Sequence, residues 1–278
     1  MKKSSLAVLL ALAVGVFTVP ARAGNIALTG HDDDFHCFAG DAACVQLGAL
    51  VNFARNGSGL PVLTFDAGSE LTSSLTGLGI AFTNINPNTP GAVTAALFNN
   101  ALYSAFVVAS DTTCGGCDNS AAGEAAIAAQ SVAIGNFLNA GGGIVGLSGA
   151  SSPLYYSFVP QTASSVGGAP SNGYTATGLF GIPAVNGDAT HNLFWDPGTH
   201  GESAFFQIAE VNATSGNGTI PPPAAVTLVC NACTVSGGVI GGGGGGGAAT
   251  PEPSSFILLG SGLVGVAGAF RRRISAVL

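Results

Sequence analysis

The residues best suited to chemistry in this sequence stand in one short segment, which reads Gly-His-Asp-Asp-Asp-Phe-His at positions 30–36. Three adjacent carboxylates repel one another unless a positive charge lies among them. Carboxylate oxygens suit Ca²⁺ or Mg²⁺, and the two imidazoles also allow Zn²⁺ or Mn²⁺. We therefore expect a divalent-cation site, the alternative being a solvated acidic loop that supplies helix caps. The candidate ligands are His31, Asp32, Asp33, Asp34 and His36.

A second candidate is a serine near the middle of the chain. Ser148 follows the apolar stretch 144–147, where a nucleophile elbow would present its hydroxyl, although Ala150 replaces the last glycine of the Gly-x-Ser-x-Gly pattern. Ser148 with His191 and an acid would form a hydrolase triad. The alternative is a small residue that lets a helix and a strand pack closely. Further polar residues follow in a stretch that could fold back over the strand ends: Asp188, Asp196, His200 and Glu202.

Alternating strands and helices must position these residues. Apolar runs predict strands at 25–29, 60–65, 80–84, 105–109 and 144–147, and helices at 41–56, 69–78, 89–99 and 124–139. This alternation predicts an α/β domain with a doubly wound, mostly parallel sheet, in which ligands bind beyond the carboxyl ends of the strands. Later elements are a short helix at 154–158 and strands at 204–211 and 225–229, which we place antiparallel at an edge.

The two ends of the chain indicate export. Lys2 and Lys3 precede an apolar stretch at 6–19, and Ala21 and Ala23 form a small-x-small cleavage site, so residues 1–23 are expected to be a signal peptide read by the Sec export machinery. At the other end Pro251-Glu252-Pro253 precedes an apolar run at 256–270. Three arginines, Arg271, Arg272 and Arg273, follow this run and would hold its end in the cytoplasm.

This order of parts resembles the PEP-CTERM sorting signal of bacterial exported proteins. The resemblance implies that a membrane-embedded exosortase cleaves at Pro251-Glu252-Pro253 and re-attaches the protein. The chain would be held transiently in the membrane by its C-terminal helix and then reside at the cell surface or in the extracellular matrix. An ordinary stop-transfer anchor is the alternative. The expected organisation is a signal peptide at 1–23, an ectodomain at 24–240, a glycine-rich linker at 241–250 and the sorting signal at 251–278.

The expected ectodomain is strongly acidic. All 14 Asp and Glu of the chain lie between Gly24 and Pro253, and Arg55 is the only Lys or Arg there, so the formal charge of this segment is −13. Such a charge repels phosphate backbones and anionic lipid, which disfavours nucleic acid as a partner. The carboxylates must be solvated, used as caps or neutralised by a bound cation.

Six cysteines stand in three local pairs: Cys37 and Cys44, Cys114 and Cys117, and Cys230 and Cys233. In an exported protein this pattern predicts disulfides. The two CxxC pairs could instead hold zinc. A thioredoxin-like redox motif at Cys114-Gly-Gly-Cys117 is disfavoured, because Asp111 and Asp118 nearby would oppose a thiolate.

A second resemblance covers residues 25–210. The first strand with its Gly-His loop, the Gly-Gly-Gly-Ile-Val-Gly-Leu stretch at 141–147 and Thr190-His191-Asn192 are similar to the class I glutamine amidotransferase-like fold, in particular its ThuA-like branch. The resemblance implies a flavodoxin-like sheet. The amidotransferase cysteine would fall at Ser148, and residues 118–229 contain no cysteine, so amidotransferase activity is not expected.

These observations predict an exosortase-sorted protein of the cell envelope or extracellular matrix. Its acidic α/β domain would bind a ligand, in dependence on a divalent cation, rather than turn a substrate over; extracellular polysaccharide is a candidate partner. The alternative is a secreted hydrolase that acts on carbohydrate or related envelope substrates. Ice binding needs flat, repeated threonine arrays, which the sequence lacks.

Overall fold

The computed structural model of the protein describes residues 23–38, 40–111, 119–149, 155–195, 205–214 and 216–236. The predicted signal peptide, glycine linker and C-terminal apolar segment lie outside these ranges, as do Cys114 and Cys117. Within the described ranges, no helix has both the length and the apolar character needed to cross a lipid bilayer.

Five parallel strands form one half of a mixed sheet. They are β1 Gly24–Thr29, β2 Val62–Phe65, β3 Phe82–Ile85, β4 Ala105–Val108 and β5 Gly143–Gly146. Their order across the sheet is β3-β2-β4-β5-β1, and each neighbouring pair is parallel. All except β3 are buried along their whole length, as continuous apolar runs predict.

Helices pack on both faces of this parallel half, as predicted. They are α1 Asp33–His36, α2 Ala42–Arg55, α3 Glu70–Gly77, α4 Ala121–Ala128 and α5 Ser131–Asn139. Leu47 of α2 and Leu71 of α3 belong to one apolar core, whereas Ile127 of α4 and Ile134 of α5 belong to a second. Alternate residues of β1 point into the two cores, so the cores lie on opposite faces of the sheet.

Two helix predictions and one loop prediction need correction. The segment 89–99 contains only a 3₁₀ turn at Ala95–Leu97, because Gly91 has a φ of 76°, which a right-handed helix cannot accommodate. The predicted helix at 124–139 is two helices, since the chain turns at Gln130 between α4 and α5. The segment at 31–36, expected to be a loop, contains the single turn of α1.

Later strands form the other half of the sheet. They are β6 Ser165–Ala169, β7 Tyr174–Ala176, β8 Thr190–Phe194, β9 Gln207–Asn212 and β10 Ala224–Cys233. β10 is antiparallel to β1 on one side and to β8 and β9 on the other. The prediction of an edge strand at 225–229 is therefore wrong. The flavodoxin-like order is also absent: there the first strand lies beside the second, whereas here β1 lies between β5 and β10.

The N-terminal cap of α2 was predicted correctly. Asp41 Oδ1 accepts a hydrogen bond from Cys44 N at 2.9 Å, and its Oδ2 accepts one from Phe38 N at 2.8 Å. The helix ends at Asn56, whose φ of 49° is left-handed. Asp41 is thus a structural carboxylate that fixes the start of α2.

Candidate functional site

Backbone hydrogen bonds hold the carboxyl ends of β1 and β5 against the start of β8. Ser148 N donates to His31 O at 3.0 Å, and His191 N donates to Gly30 O at 2.7 Å. Gly30 permits this approach, because a Cβ atom there would lie 2.0 Å from Asn192 O. The first loop, Ser148 and His191 therefore share one edge of the sheet, where ligands of parallel sheets bind.

Four side chains at this edge form what we call the rim cluster: Asp32, His36, Asp188 and His191. His36 Nε2 lies 3.5 Å from Asp32 Oδ2 and 3.5 Å from Asp188 Oδ1. His191 Nε2 lies 3.2 Å from the other Asp32 oxygen, Oδ1. The Asp32 side chain is 1% exposed, whereas those of Asp188, His191 and His36 are 19%, 28% and 36% exposed. The cluster therefore combines one almost fully buried side chain, that of Asp32, with three that solvent can reach.

Local sequence explains part of this arrangement. Asp32 immediately precedes the single turn of α1 and His36 ends it, so the two side chains stand four residues apart on one helical face. Asp188 comes from the loop before β8, and His191 comes from β8 itself. Asp188 was thus part of the expected cover over the strand ends, while Asp196, His200 and Glu202 lie outside the described residues.

The rim cluster has the spacing of a metal centre. One ligand atom from each of Asp32, His36 and Asp188 lies within 4.8 Å of the other two. Ligands at about 2.0–2.1 Å from a tetrahedral Zn²⁺ are separated from each other by roughly 3.3 Å, close to the 3.5 Å separations seen here. The imidazole favours Zn²⁺ or Mn²⁺ over Ca²⁺ or Mg²⁺, which prefer oxygen ligands throughout.

His31 lies apart from this cluster, in what we call the buried network: His31, Glu210, Gln46, Thr227 and Thr29. His31 Nε2 is 3.3 Å from Glu210 Oε1, and neither side chain is exposed. Glu210 Oε2 accepts hydrogen bonds from Gln46 Nε2 at 2.9 Å and from Thr227 Oγ1 at 2.7 Å. Burial alone would raise the pKa of Glu210, but the hydrogen bonds from its partners, that from His31 foremost, hold the pKa below its ordinary value.

The remaining two aspartates of the first loop also point away from the rim. Asp34 accepts hydrogen bonds from Ser110 N at 2.9 Å and from Ser110 Oγ at 2.6 Å, which ties α1 to the end of β4. Burial raises the pKa of Asp34 to about 6 against the effect of these bonds. Asp33 is fully buried and neither of its carboxyl oxygens is hydrogen-bonded. Burial, and then repulsion from Glu210, raises its pKa well above the ordinary value.

Of the five predicted metal ligands, the structure thus brings two together, Asp32 and His36, and adds Asp188. No spacing in the sequence points to Asp188, because it lies far from the first loop along the chain. Its pKa is raised by burial and by the negative charge of Asp32, as expected of two carboxylates that share a small volume.

The predicted serine hydrolase pair is not connected by a hydrogen bond. Ser148 Oγ is fully buried and has no hydrogen-bond partner among the described residues. The imidazole of His191 is bound to Asp32, and this hydrogen bond raises the pKa of His191 although burial opposes the shift. Ser148 therefore acts here as a small buried residue, packed at the end of β5.

Two of the three predicted disulfides lie in the described residues and both are formed. Cys37 is bonded to Cys44, and Cys230 is bonded to Cys233. The first joins the residue after His36 to the first turn of α2, and the second lies at the end of β10. Cys114 and Cys117 remain a predicted pair.

The sequence analysis missed one further buried acid, Glu124 of α4. Its side chain is almost fully buried, and Oε1 has no hydrogen-bond partner. Burial, followed by repulsion from Asp111, raises the pKa of Glu124 to about 9. An acid on a helix normally faces water, so the sequence carries no signal that this one is inside.

Comparison with known proteins identifies the tail of the chain. The described part is a mixed α/β domain with a cluster of Asp and His side chains at the carboxyl edge of its parallel strands. Residues 249–273 match the family model described as PEP-CTERM protein-sorting motif. The predicted sorting motif is confirmed, and this motif implies an exported, cell-surface-directed protein that is processed by exosortase, a membrane enzyme.

No curated protein and no solved structure matches this chain. The resemblance to the ThuA-like branch therefore receives no support from these comparisons.

Proposed function

We propose that this chain is an exosortase-sorted protein of the cell envelope or extracellular matrix whose acidic domain binds a divalent cation at the rim cluster. The observation that carries the proposal is the convergence of Asp32, His36 and Asp188 from two distant parts of the sequence onto one partly exposed point. Three protein ligands leave a coordination position open. That position is where an oxygen of a partner, such as a polysaccharide hydroxyl, would bind.

The charge of the domain supports a bound cation. The single Lys or Arg between Gly24 and Pro253 is Arg55, at the end of α2, where its guanidinium donates to Leu60 O at 3.3 Å. Among the described residues of the rim cluster, Asp32 faces His36 and His191, and Asp188 faces His36. A divalent cation between these carboxylates would relieve the repulsion that raises the pKa of Asp188.

The composition of the rim cluster also selects the ion. We assign it to the Zn²⁺ and Mn²⁺ class, because one of the three ligand atoms is an imidazole nitrogen. His191 would not be a ligand in this arrangement. Its hydrogen bond to Asp32 Oδ1 orients the carboxylate and leaves Oδ2 for the ion, a supporting role that metal sites commonly require.

The test is the thermal stability of the purified protein with and without added Zn²⁺, Mn²⁺, Ca²⁺ or Mg²⁺. A cation that binds only the folded state stabilises it by about 2.7 kcal/mol at a hundredfold excess over Kd, which corresponds to a Tm increase of several degrees. Zn²⁺ or Mn²⁺ is expected to give the largest increase. Asp188→Asn and His36→Gln should each abolish it.

The matched control is Glu70→Gln, which removes a carboxylate of α3 outside the rim cluster and should leave the metal response unchanged. If none of the four cations raises the Tm of the wild type, the rim cluster is an acidic surface and the binding proposal is lost. An undiminished response in Asp188→Asn would instead place the ion elsewhere.

A further inference from the structure

The Cys37–Cys44 disulfide stands directly beside a proposed metal ligand. Cys37 follows His36, the last residue of α1, and Cys44 lies in the first turn of α2. We infer that this disulfide positions His36, so that the rim cluster acquires its cation only when the two cysteines are oxidised. The inference rests on the proposed function, since it concerns the regulation of the same site.

The first argument is that the turn of α1 does not by itself fix His36: the hydrogen bonds of Asp34 to Ser110 hold the first half of α1 against the end of β4, but His36 is its last residue. The helix is a single turn of four residues, and the residue that precedes it makes no side-chain cap. Isolated helices of this length are unstable, because the conformational entropy lost in forming the first turn outweighs the hydrogen bond that the turn gains. The segment that follows Cys37 is also open to solvent, since Phe38 is 70% exposed.

The second argument is that α2 provides a fixed reference. It has 14 residues, and Leu47, Leu50 and Val51 are fully buried in the core below it. Asp41 caps its first turn through Cys44 N. A covalent bond from Cys44 to Cys37 therefore transfers the fixed position of α2 to the backbone that carries His36.

The third argument concerns the two states of the bond. Cys44 is buried, whereas Cys37 is partly exposed. A thiolate can therefore attack the Cys37 sulfur and release the Cys44 thiolate. A second thiol then frees Cys37, so that two external thiols become a disulfide and the protein gains two thiols. Cytoplasmic thiols maintain the reduced state and the exported compartment the oxidised state, so the cation site is completed only after export.

The expected size of the effect follows from what the disulfide supports. Without it the imidazole is lost from a defined position while both carboxylates remain. Loss of a group that orients a metal ligand typically lowers affinity 10- to 100-fold. We expect this range for Cys37→Ser/Cys44→Ser, and no more than about a threefold change for the matched control Cys230→Ser/Cys233→Ser at the end of β10.

The experiment titrates the purified, oxidised full chain with Mn²⁺, which binds freed thiols poorly, and with Co²⁺, whose visible absorption reports coordination geometry and whose near-ultraviolet thiolate band reveals any binding to cysteine. The wild type, both double-serine variants and His36→Gln are compared, and each is also measured after reduction with a phosphine. Reduction should weaken binding in the wild type and in the Cys230/Cys233 variant. In His36→Gln, binding should be weak and insensitive to reduction, which a general effect on the fold would not produce.

Equal affinity in wild type and the Cys37/Cys44 variant would overturn the inference. If this variant does not fold, as judged by circular dichroism, reduction of the folded wild type decides instead: an unchanged Kd overturns the inference and a 10- to 100-fold increase supports it. If the oxidised wild type binds neither ion, the proposed function fails. That result differs from metal binding whose affinity does not depend on the disulfide, which overturns the inference alone.

Discussion

His31 and Asp32 are neighbours in sequence, yet they lie in two polar clusters of opposite character. In the buried network, both oxygens of Glu210 accept hydrogen bonds, including one from Val185 N at 2.8 Å, and no side-chain surface of His31 or Glu210 is exposed. In the rim cluster, the contacts are 3.2–3.5 Å long and three of the four side chains are partly exposed. Both carboxylate oxygens of Glu210 are thus satisfied, although His31 Nδ1 has no hydrogen-bond partner among the described residues. In the rim cluster, by contrast, the Asp32 and Asp188 carboxylates lie close enough to repel each other.

The pKa shifts of two carboxyls express the same difference. The pKa of Glu210 is lowered although burial opposes the shift, because its hydrogen-bond partners favour the charged form. The pKa of Asp188 is raised, because burial and Asp32 disfavour its charged form. A carboxylate that accepts several hydrogen bonds, as Glu210 does, is structural. A carboxylate that faces few donors, as Asp188 does, is available to a ligand.

The largest effect is expected from Glu210→Ala. The substitution leaves His31, Gln46, Thr227 and Val185 N buried without their acceptor, and removing one partner from such a network costs about 3–5 kcal/mol. Urea unfolding at neutral pH measures the loss. The stabilisation by Glu210 is present above its ordinary pKa of 4.5 and is lost as the pH falls through the lower pKa of the folded state.

Glu210→Gln sharpens this test. The amide has nearly the same shape but turns one acceptor into a donor, so a smaller loss of about 1–3 kcal/mol is expected. The metal response of the rim cluster should survive in this variant. A loss below about 1 kcal/mol in Glu210→Ala would mean that the buried network is not a structural unit.

An intermediate effect is expected from Glu124→Gln, which tests a buried acid that lacks donors. The folded-state pKa of about 9 lies above the ordinary value of 4.5. Between these values the unfolded chain releases the proton while the folded chain retains it, so stability falls as the pH rises. At pH 8 the free energy of unfolding of Glu124→Gln should exceed that of the wild type by roughly 2–3 kcal/mol. This is less than the sum obtained from about 1.4 kcal/mol for every pH unit above the ordinary pKa.

Unfolding curves at pH 5 and pH 8 check this prediction. At pH 5 the two proteins should differ by less than about 1 kcal/mol, because pH 5 lies only slightly above the ordinary pKa of 4.5 that Glu124 has in the unfolded chain. A difference between variant and wild type that does not grow with pH would show that Glu124 is ionised in the folded protein.

The smallest effect on stability is expected from Asp188→Asn in the absence of metal. The variant loses an attraction to His36 across 3.5 Å but also loses the repulsion from Asp32. Partly exposed ion pairs contribute about 0–1 kcal/mol, so the change should stay below about 0.5 kcal/mol. If the free energy of unfolding fell by more than about 2 kcal/mol, Asp188 would have a structural role like that of Glu210.

The parallel half of the fold could be predicted because its strands are buried on both faces. The apolar runs at 105–109 and 144–147 correspond to β4 and β5 within a residue at each end. The antiparallel half could not: β6 reads Ser-Val-Gly-Gly-Ala and β7 has three residues, so neither shows a usable alternation. The interior position of β10 depends on its pairing with β1, which lies at the other end of the domain sequence.

The candidate site shows the same division. The sequence indicated Asp32 and His36 only as two members of a dense polar segment expected to be a loop. Asp188 reaches them only because β8 bonds to Gly30 at the end of β1, a tertiary contact with no local signature. Nor could the sequence show that Asp34 binds Ser110, since that bond depends on where α1 meets the end of β4.

The place of β1 also sets the order in which the domain can fold. β1 comes first in the domain, yet both of its partners come much later: Ile26 pairs with Ile144 of β5 and with Cys230 of β10. In a chain that crosses a membrane amino end first, β1 must therefore stay unpaired until β5 has emerged, and one of its two edges stays unpaired until β10 follows near the end of the domain. Such distant pairing slows folding, and unpaired apolar strands aggregate. A chaperone on the far side of the membrane is expected to shield β1 during this interval.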